Sequence, residues 1–581
     1  MASRLPPPLL AAGDMEQNRD LRPAASRFMP TLEKSTLRPW RLEPQYSAFR
    51  GRSLGTRKQA KASDGLLCLP EEAEPPYSVF RGWSLGTRYT THGSSIRMSP
   101  QDFRHSSFHG RMGIARADIT PPVGIYSRNW GAARHDVAES IHRSLTLTAL
   151  TLTPLAGGAT LILVDADLGW WKTPQTYHNF QKRLLDTLSL ESANLIFALS
   201  HTHAGPPLME ADDSLPGSEL LRTWMEDVFN STVHAIREAL GSQFEATLDW
   251  QQGRCGLATV RDLPDPDPTR NRIVCGYSPD GKPDDTLLVG RVTDTTGRIR
   301  ATLVNYACHP TTLAWDNKAI SPDYVGAMRE TIQQATGAPA MFLLGACGEL
   351  APRYQYVGDT EIADRHGRQL GFAALATLHG MEPPGTRLAY VETVESGAPL
   401  AVWKQLPCDL SPELHAIQTT VDLPLKNWPS AEELEQQRLA CKDRALEERL
   451  RRKRDIRRSV GDGATYSLSI YAWRLGDAVL VGSCCEPYSV LQQELRRRFP
   501  EHTILCMNLI NGSIGYLPPG DLYETEIYPV WQTPFDRGSL EATIEAMTSA
   551  VTEVLAGSTW RPPKIFSQLT AQVRPYPTNN E

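Results

Sequence analysis

From Met112 onward the chain alternates short continuous apolar runs with amphipathic helical stretches, and no other feature restricts its fold as strongly. The runs cover residues 159–165, 194–200, 301–308, 340–344, 478–482 and 503–507. Each is too short for a buried helix and shows no polar alternation, the pattern of a strand covered on both faces. Helical periods stand between them at 173–190, 220–240, 323–335, 360–378, 487–498 and 539–555. Strand and helix in alternation predict an α/β architecture with a largely parallel or mixed sheet. The expected body is one large α/β domain, residues 111–560, with helices flanking a mixed β-sheet. Residues 1–110 are rich in Arg, Pro and Ser, hold no sustained period and are expected to form a disordered leader. Within them Tyr46-Ser-Ala-Phe-Arg-Gly-Arg-Ser-Leu-Gly-Thr-Arg57 returns as Tyr77-Ser-Val-Phe-Arg-Gly-Trp-Ser-Leu-Gly-Thr-Arg88. Two copies of a 12-residue segment are too few to stack into a solenoid. Residues 561–581 read as a C-terminal tail.

Composition narrows the class further. The 581 residues carry a net charge of −6, with no basic excess of the kind a dedicated nucleic-acid binder shows. No apolar run approaches the roughly 18–20 residues needed to span a bilayer. The ten cysteines form no Cys-x-x-Cys pair, and Cys484 and Cys485 are adjacent, a geometry ordinary disulfides avoid. The first residues lack the long apolar stretch of a signal peptide. A cytoplasmic location is the expectation.

Three of the buried strands end in residues that carry chemistry. After the run at 194–200 comes His201-Thr-His203-Ala-Gly-Pro206. In an extended chain residues i and i+2 share a face, so both histidines are expected to point into a crevice at the strand's C-terminal end. The run at 301–308 ends in His309-Pro310, and the run from 478 reaches Glu486-Pro487 before a helix. Two surface histidines and a glutamate at a helix N-terminus would be the ordinary explanation. Two histidines and one carboxylate are also the ligand set of a catalytic zinc site that keeps a position open for water.

The order of motifs resembles a known family. Met112-Gly-Ile-Ala-Arg-Ala-Asp-Ile-Thr-Pro-Pro-Val-Gly124 is similar to the opening motif of the neutral/alkaline, non-lysosomal ceramidases. Ser140-Ile-His-Arg-Ser-Leu, the His201 element and Asn305-Tyr-Ala-Cys-His-Pro follow in family order. So do Gly345-Ala-Cys-Gly-Glu-Leu-Ala-Pro, Glu486-Pro and Asn511-Gly-Ser-Ile-Gly-Tyr516. The resemblance implies one Zn2+ per chain, held by His201, His309, Glu486 and Tyr516. It further implies hydrolysis of an amide by metal-activated water, with His203 and Tyr528 as catalytic residues near the reacting group. The implied partner is a small-molecule or lipid N-acyl amide, and the implied setting is sphingolipid metabolism.

The chain also departs from that pattern. Where the family reads Gly-Asp-x-Ser-Pro with a catalytic serine, this chain reads Gly348-Glu-Leu-Ala-Pro352. Ala351 cannot orient substrate as a serine hydroxyl does, so the expected substrate is an amide other than ceramide, smaller and more polar. Glu349 and Arg353 are the substrate-binding candidates in this segment. The family's C-terminal immunoglobulin-like domain is not expected, because only 53 residues follow Tyr528 (581 − 528) and a sandwich takes about 100. Residues 430–459 read as one long solvated charged helix. Two rival functions stand beside amide hydrolysis: another metallo-amidohydrolase, and a non-catalytic binding protein that retains the fold.

Overall fold

The computed structural model describes residues 103–557; both copies of the duplicated segment and the expected tail at 561–581 lie outside them. Eight strands form the larger sheet: β1 (Ser106–Asp118), β2 (Thr146–Thr153), β3 (Leu161–Ala166), β4 (Leu195–Leu199), β5 (Phe244–Arg254), β6 (Thr286–Asp294), β7 (Ile299–Tyr306) and β8 (Ala340–Leu344). Their spatial order is β8-β7-β6-β5-β1-β2-β3-β4. Ladders in the middle are antiparallel, whereas the terminal ladders β7–β8 and β3–β4 are parallel. The sheet curls until its ends meet. The Phe342 N–H on β8 donates to Asp165 Oδ2 on β3 at 2.9 Å, and Arg329 clasps the same buried carboxylate. Strand β1 begins at Ser106, ahead of residue 111, the expected start of the domain, and Phe108 is fully buried within it.

A second sheet runs β9-β10-β11-β12, with β9 at Leu414–Pro424, β10 at Thr465–Leu475, β11 at Ala478–Ser483 and β12 at Thr503–Met507. It lies face to face with the first. One apolar cluster joins Leu163, Ile196, Leu303 and Met341 of the first sheet to Trp473, Leu480 and Leu505 of the second. The alternate residues of the same strands, such as Ile162, Phe197 and Phe342, face α1 (Pro174–Leu188), α2 (Glu219–Gly241), α3 (Tyr324–Thr336) and α4 (Thr360–His379). Later in the chain come α5 (Ala431–Ala440), α6 (Arg444–Val460), α7 (Val490–Arg498), α8 (Tyr528–Gln532) and α9 (Ser539–Ala556). Val479, Val481 and Ile504 turn toward α7 and α9. A strand with helices on one face and a sheet on the other must be apolar at every position, which is why these runs lack alternation.

Two expectations are corrected. The charged stretch at 430–459 is two helices, α5 and α6, broken at 441–443. Each has its own start signal: Ser430 and Glu433 form a reciprocal capping box, and the Asp443 carboxylate accepts from Leu446 N. Nor is α6 a solvated helix. Arg451, Arg452 and Arg454 are only partly exposed and pair with Glu447, Glu448 and Glu435.

Candidate metal centre

Three strands with a parallel neighbour, β4, β7 and β11, deliver site residues at their C-terminal ends, where α/β folds place ligands. β4 ends at Leu199, and Ser200 leads to His201. The chain does not stay extended there: His201 has φ +69°, in the left-handed region that costs a non-glycine residue about 1 kcal/mol or more. Its N–H is tied to Leu168 O at 2.8 Å. A left-handed turn therefore brings His203 back beside His201, not the shared pleat face expected from the i, i+2 spacing. His309 leaves β7 with its N–H bonded to Leu350 O at 2.9 Å. Glu486 sits in the short strand Cys485–Pro487, which pairs in parallel with Gly515–Leu517 and sets Glu486 beside Tyr516.

These turns gather His201, His309 and Glu486 into one buried group whose ligand atoms all lie within 4.8 Å of one another. Glu486 Oε2 is 3.3 Å from His201 Nε2 and 3.0 Å from His309 Nε2. The Tyr516 hydroxyl lies 3.5 Å from His309 Nε2. A tetrahedral ion with ligands at about 2.0–2.1 Å would have ligand atoms roughly 3.3 Å apart, so the spacing fits zinc. The tautomers fit as well. His201 Nδ1 faces Gly169 O at 3.1 Å and His309 Nδ1 faces Cys347 O at 2.7 Å. A carbonyl can only accept, so each ring has an acceptor for an Nδ1 proton, which leaves Nε2, now facing the Glu486 carboxylate, as the nitrogen a metal would take.

Electrostatics agree with that arrangement. Burial and the nearby Arg261 push His309 down to about 4, keeping it neutral. Burial opposes ionisation of Glu486, but His201 and His309 outweigh it and hold the carboxyl well below its usual range. Burial, reinforced by Glu486, raises the Tyr516 phenol well above 10, and Arg261, which donates to that hydroxyl at 3.1 Å, works against the rise. A dication would add to Arg261 in favouring the phenolate. His203 lies just outside the cluster, its Nε2 3.3 Å from His201 Nε2 and its ring 4.8 Å from that of Trp170. Burial, with His201 and His309 alongside, depresses it well below 6.5.

Tyr528 opens α8, with its ring 5.7 Å from that of Tyr516. His203, Tyr516 and Tyr528 line both a small recess of about 60 Å³ over the cluster and a wider cavity of about 390 Å³. The two substrate-binding candidates do not join them. Both Glu349 oxygens accept from Ser489 N, at 3.0 and 2.9 Å, and the Ser489 hydroxyl donates to the same carboxylate, so it holds the start of α7. Arg353 is exposed, with its guanidinium 5.2 Å from the Tyr277 ring, and lines neither cavity. Ala351 is fully buried and offers only its carbonyl, to Thr259 Oγ1 at 3.0 Å.

Three residues of the site carried no sequence signal, and a fourth, Arg452, lay in the charged stretch read as a solvated helix. Arg261 follows the short strand Ala258–Val260, Trp130 and Trp170 sit in loops, and Arg452 belongs to α6. None stands in a patterned motif, and only the fold brings them together.

No family model and no curated protein matches the sequence. Solved structures do match in fold. A ceramidase complexed with C2 superposes with a TM-score of 0.56 at 15% identity, over 80% of this chain and 78% of that one. The neutral ceramidase from Pseudomonas aeruginosa gives a TM-score of 0.53 at 17% identity, over 77% and 75% of the two chains. The chain thus has the fold of the neutral ceramidases, at a sequence distance where only the architecture is common ground. That architecture, an antiparallel-centred sheet against a second sheet, also differs from the closed parallel barrel that the rival metallo-amidohydrolase reading needed.

Proposed function

We propose that the protein is a zinc-dependent hydrolase that cleaves a carbon–nitrogen amide bond. The observation that carries this reading is the buried His201–His309–Glu486 cluster, with two Nε2 atoms and a carboxylate oxygen close enough to share one ion, inside a ceramidase fold. His201, His309, Glu486 and Tyr516 would hold the ion. When bound, zinc supplies Lewis acidity toward the amide carbonyl and lowers the pKa of water toward about 7. The chain's own side chains do the rest. His203, kept neutral and adjacent to the cluster, accepts a proton at Nε2 and returns it to the departing nitrogen. The Tyr528 hydroxyl and the Arg261 guanidinium supply donors for the oxygen that gains negative charge. Trp130 and Trp170 flank His203 with ring centroids at 5.2 and 4.8 Å and keep water from its faces.

Ala351, standing where the resembled motif has a serine, supplies no hydroxyl, which supports a substrate other than ceramide. The test pairs metal analysis with a panel of N-acyl substrates, from ceramides to short N-acyl amino acids. About one zinc per chain, lost in His201→Ala and His309→Ala, together with hydrolysis of at least one panel member, is the expected result. Zinc binding without turnover of any member would favour a binding protein that retains the fold. Full metal content in both variants would overturn the site.

A further inference from the structure

The face of α6 that lines the wider cavity is charged, with Glu448 buried, Arg452 half-buried, and Ala445 and Arg449 exposed. Ala445, Glu448, Arg449 and Arg452 follow the i, i+3, i+4, i+7 spacing of one helix face, and all four line the wider cavity beside the metal cluster. With Arg261 across the cavity, three guanidinium groups meet a single carboxylate there. Glu448 is occupied by Arg452, with Oε1 3.0 Å from Nε, and Arg452 Nη2 donates to Asn129 O at 2.5 Å, so Arg452 brings charge to the cavity with little of its fork left open. Arg449 has no carboxylate within ion-pair distance among the described residues, and its guanidinium rests 3.9 Å from the centroid of Trp531. The cavity also holds donors with nothing to donate to: Trp130 Nε1 and Arg261 Nε are buried without a hydrogen-bond partner. A buried N–H without an acceptor costs about 1–3 kcal/mol, so the lining is short of acceptors and of negative charge together. The remaining wall is aromatic, with Trp130 6.0 Å from Trp315 and 5.7 Å from Tyr356 between ring centroids.

We infer that the amide substrate carries a carboxylate, as an N-acyl amino acid does, and that Arg449 of α6 binds it, with the charge of Arg452 alongside, while the apolar part of the molecule lies against Trp130, Trp315 and Tyr356. This rests on the amide hydrolase reading above, and it names the substrate class. Arginine is suited to the task because its planar fork meets a carboxylate with two parallel hydrogen bonds. A neutral lipid amide would leave the surplus cations and the orphan donors unmatched, so the same lining selects against it.

The test separates recognition from turnover. N-lauroylglycine and its uncharged counterpart N-lauroylglycinamide are titrated by calorimetry into the zinc-depleted full-length protein, and into His309→Ala, where no hydrolysis interferes. Tighter binding of the acid by about tenfold or more is expected, since charge-assisted hydrogen bonds dominate the difference. Arg449→Gln should remove most of that preference while leaving glycinamide binding as it was, and Arg449→Lys should restore part of it. On the zinc-loaded enzyme the same variant should raise KM for the acid with little change in kcat. Equal affinity for the two compounds, or a preference that survives in Arg449→Gln, would overturn the inference. N-lauroyl-phosphoethanolamine serves as a third arm, and binding of that compound in preference to the acid would overturn the assignment to a carboxylate. Selective binding without hydrolysis would uphold the recognition site and count against the hydrolase reading alone.

Discussion

His203 and Glu349 are the two residues whose roles a single substitution separates best. His203 touches the cluster through His201 but lies outside the three-residue ligand group. His203→Ala is therefore expected to keep about one zinc per chain while kcat falls by roughly 10²–10⁴-fold, the usual contribution of a positioned acid–base group. Loss of zinc as complete as in His201→Ala would make His203 a ligand instead. Glu349 works differently. Burial raises its carboxyl from 4.5 to about 7, against the opposing pull of Ser489. Below pH 4.5 both folded and unfolded chains are protonated and nothing is lost. Between 4.5 and 7 the unfolded chain ionises first, so stability falls as pH rises, and above 7 the full cost of about 3 kcal/mol is reached. Denaturant melts of Glu349→Gln should lack that decline, so the variant gains on the wild type between pH 4.5 and 8, while KM stays unchanged because the carboxylate meets Ser489 and not substrate. The histidines and Glu486 were legible in the sequence because strand ends expose them in short motifs. Glu349 was misread as a substrate contact because nothing in Gly348-Glu-Leu-Ala-Pro352 tells which way a side chain turns after a strand.

Strands buried on both faces declare themselves, and strands β3, β4, β7, β8, β11 and β12 fall where the continuous apolar runs predict. The long strands β1, β2, β5, β9 and β10 escaped because their polar residues interrupt the run: Thr146, Thr148, Thr151 and Thr153 lie in β2, and Asp249 in β5 pairs with Arg291. Close approach between elements is equally hidden in the sequence. Gly113 on β1 sits under α2, where an added Cβ would come within 1.7 Å of Ala239 O. A backbone oxygen cannot swing aside, so Gly113→Ala must lift α2 from β1 and β2 and should cost at least 1–3 kcal/mol, roughly the range for overpacking, read as a lower melting temperature. A change within about 0.5 kcal/mol would show that the helix gives way easily. The capping box on α5 makes a second, local prediction. Ser430→Ala removes the acceptor for Glu433 N, 3.2 Å away, and should cost about 1 kcal/mol. Hydrogen exchange should quicken in α5 and in its ion-pair partner α6, through Glu435–Arg454 and Arg438–Glu447, and not in the sheets. Uniform acceleration across β1–β8 would mean that α5 unfolds only with everything else.

The cluster lies where the two sheets meet, and this would give a bound ion a structural as well as a chemical consequence. His201 and His309 hang from β4 and β7 of the larger sheet, whereas Glu486 and Tyr516 follow β11 and β12 of the second. Protein contacts already cross the same seam: Asn305 Nδ2 donates to Cys506 O at 2.9 Å, and Asn511 Nδ2 donates to Leu195 O at 2.8 Å. An ion held by both sheets binds the native arrangement alone, because the unfolded chain does not assemble the four donors. Its contribution to stability then grows with free zinc as RT ln(1 + [Zn]/Kd), about 2.7 kcal/mol at one hundred times Kd. Chelation is therefore expected to lower the melting temperature by several degrees, with exchange quickening first at 484–487 and 509–517, the segments tied on one side to the ion. His201→Ala should melt at the same temperature with and without added zinc. Without the ion, the buried Glu486 carboxylate, held ionised against burial, would keep only the imidazoles of His201 and His309 as close partners, at 3.3 and 3.0 Å, a further cost to the native state. A melting temperature in the wild type that ignores both zinc and chelator would separate the cluster from the stability of the seam, and would count against an ion shared between the two sheets.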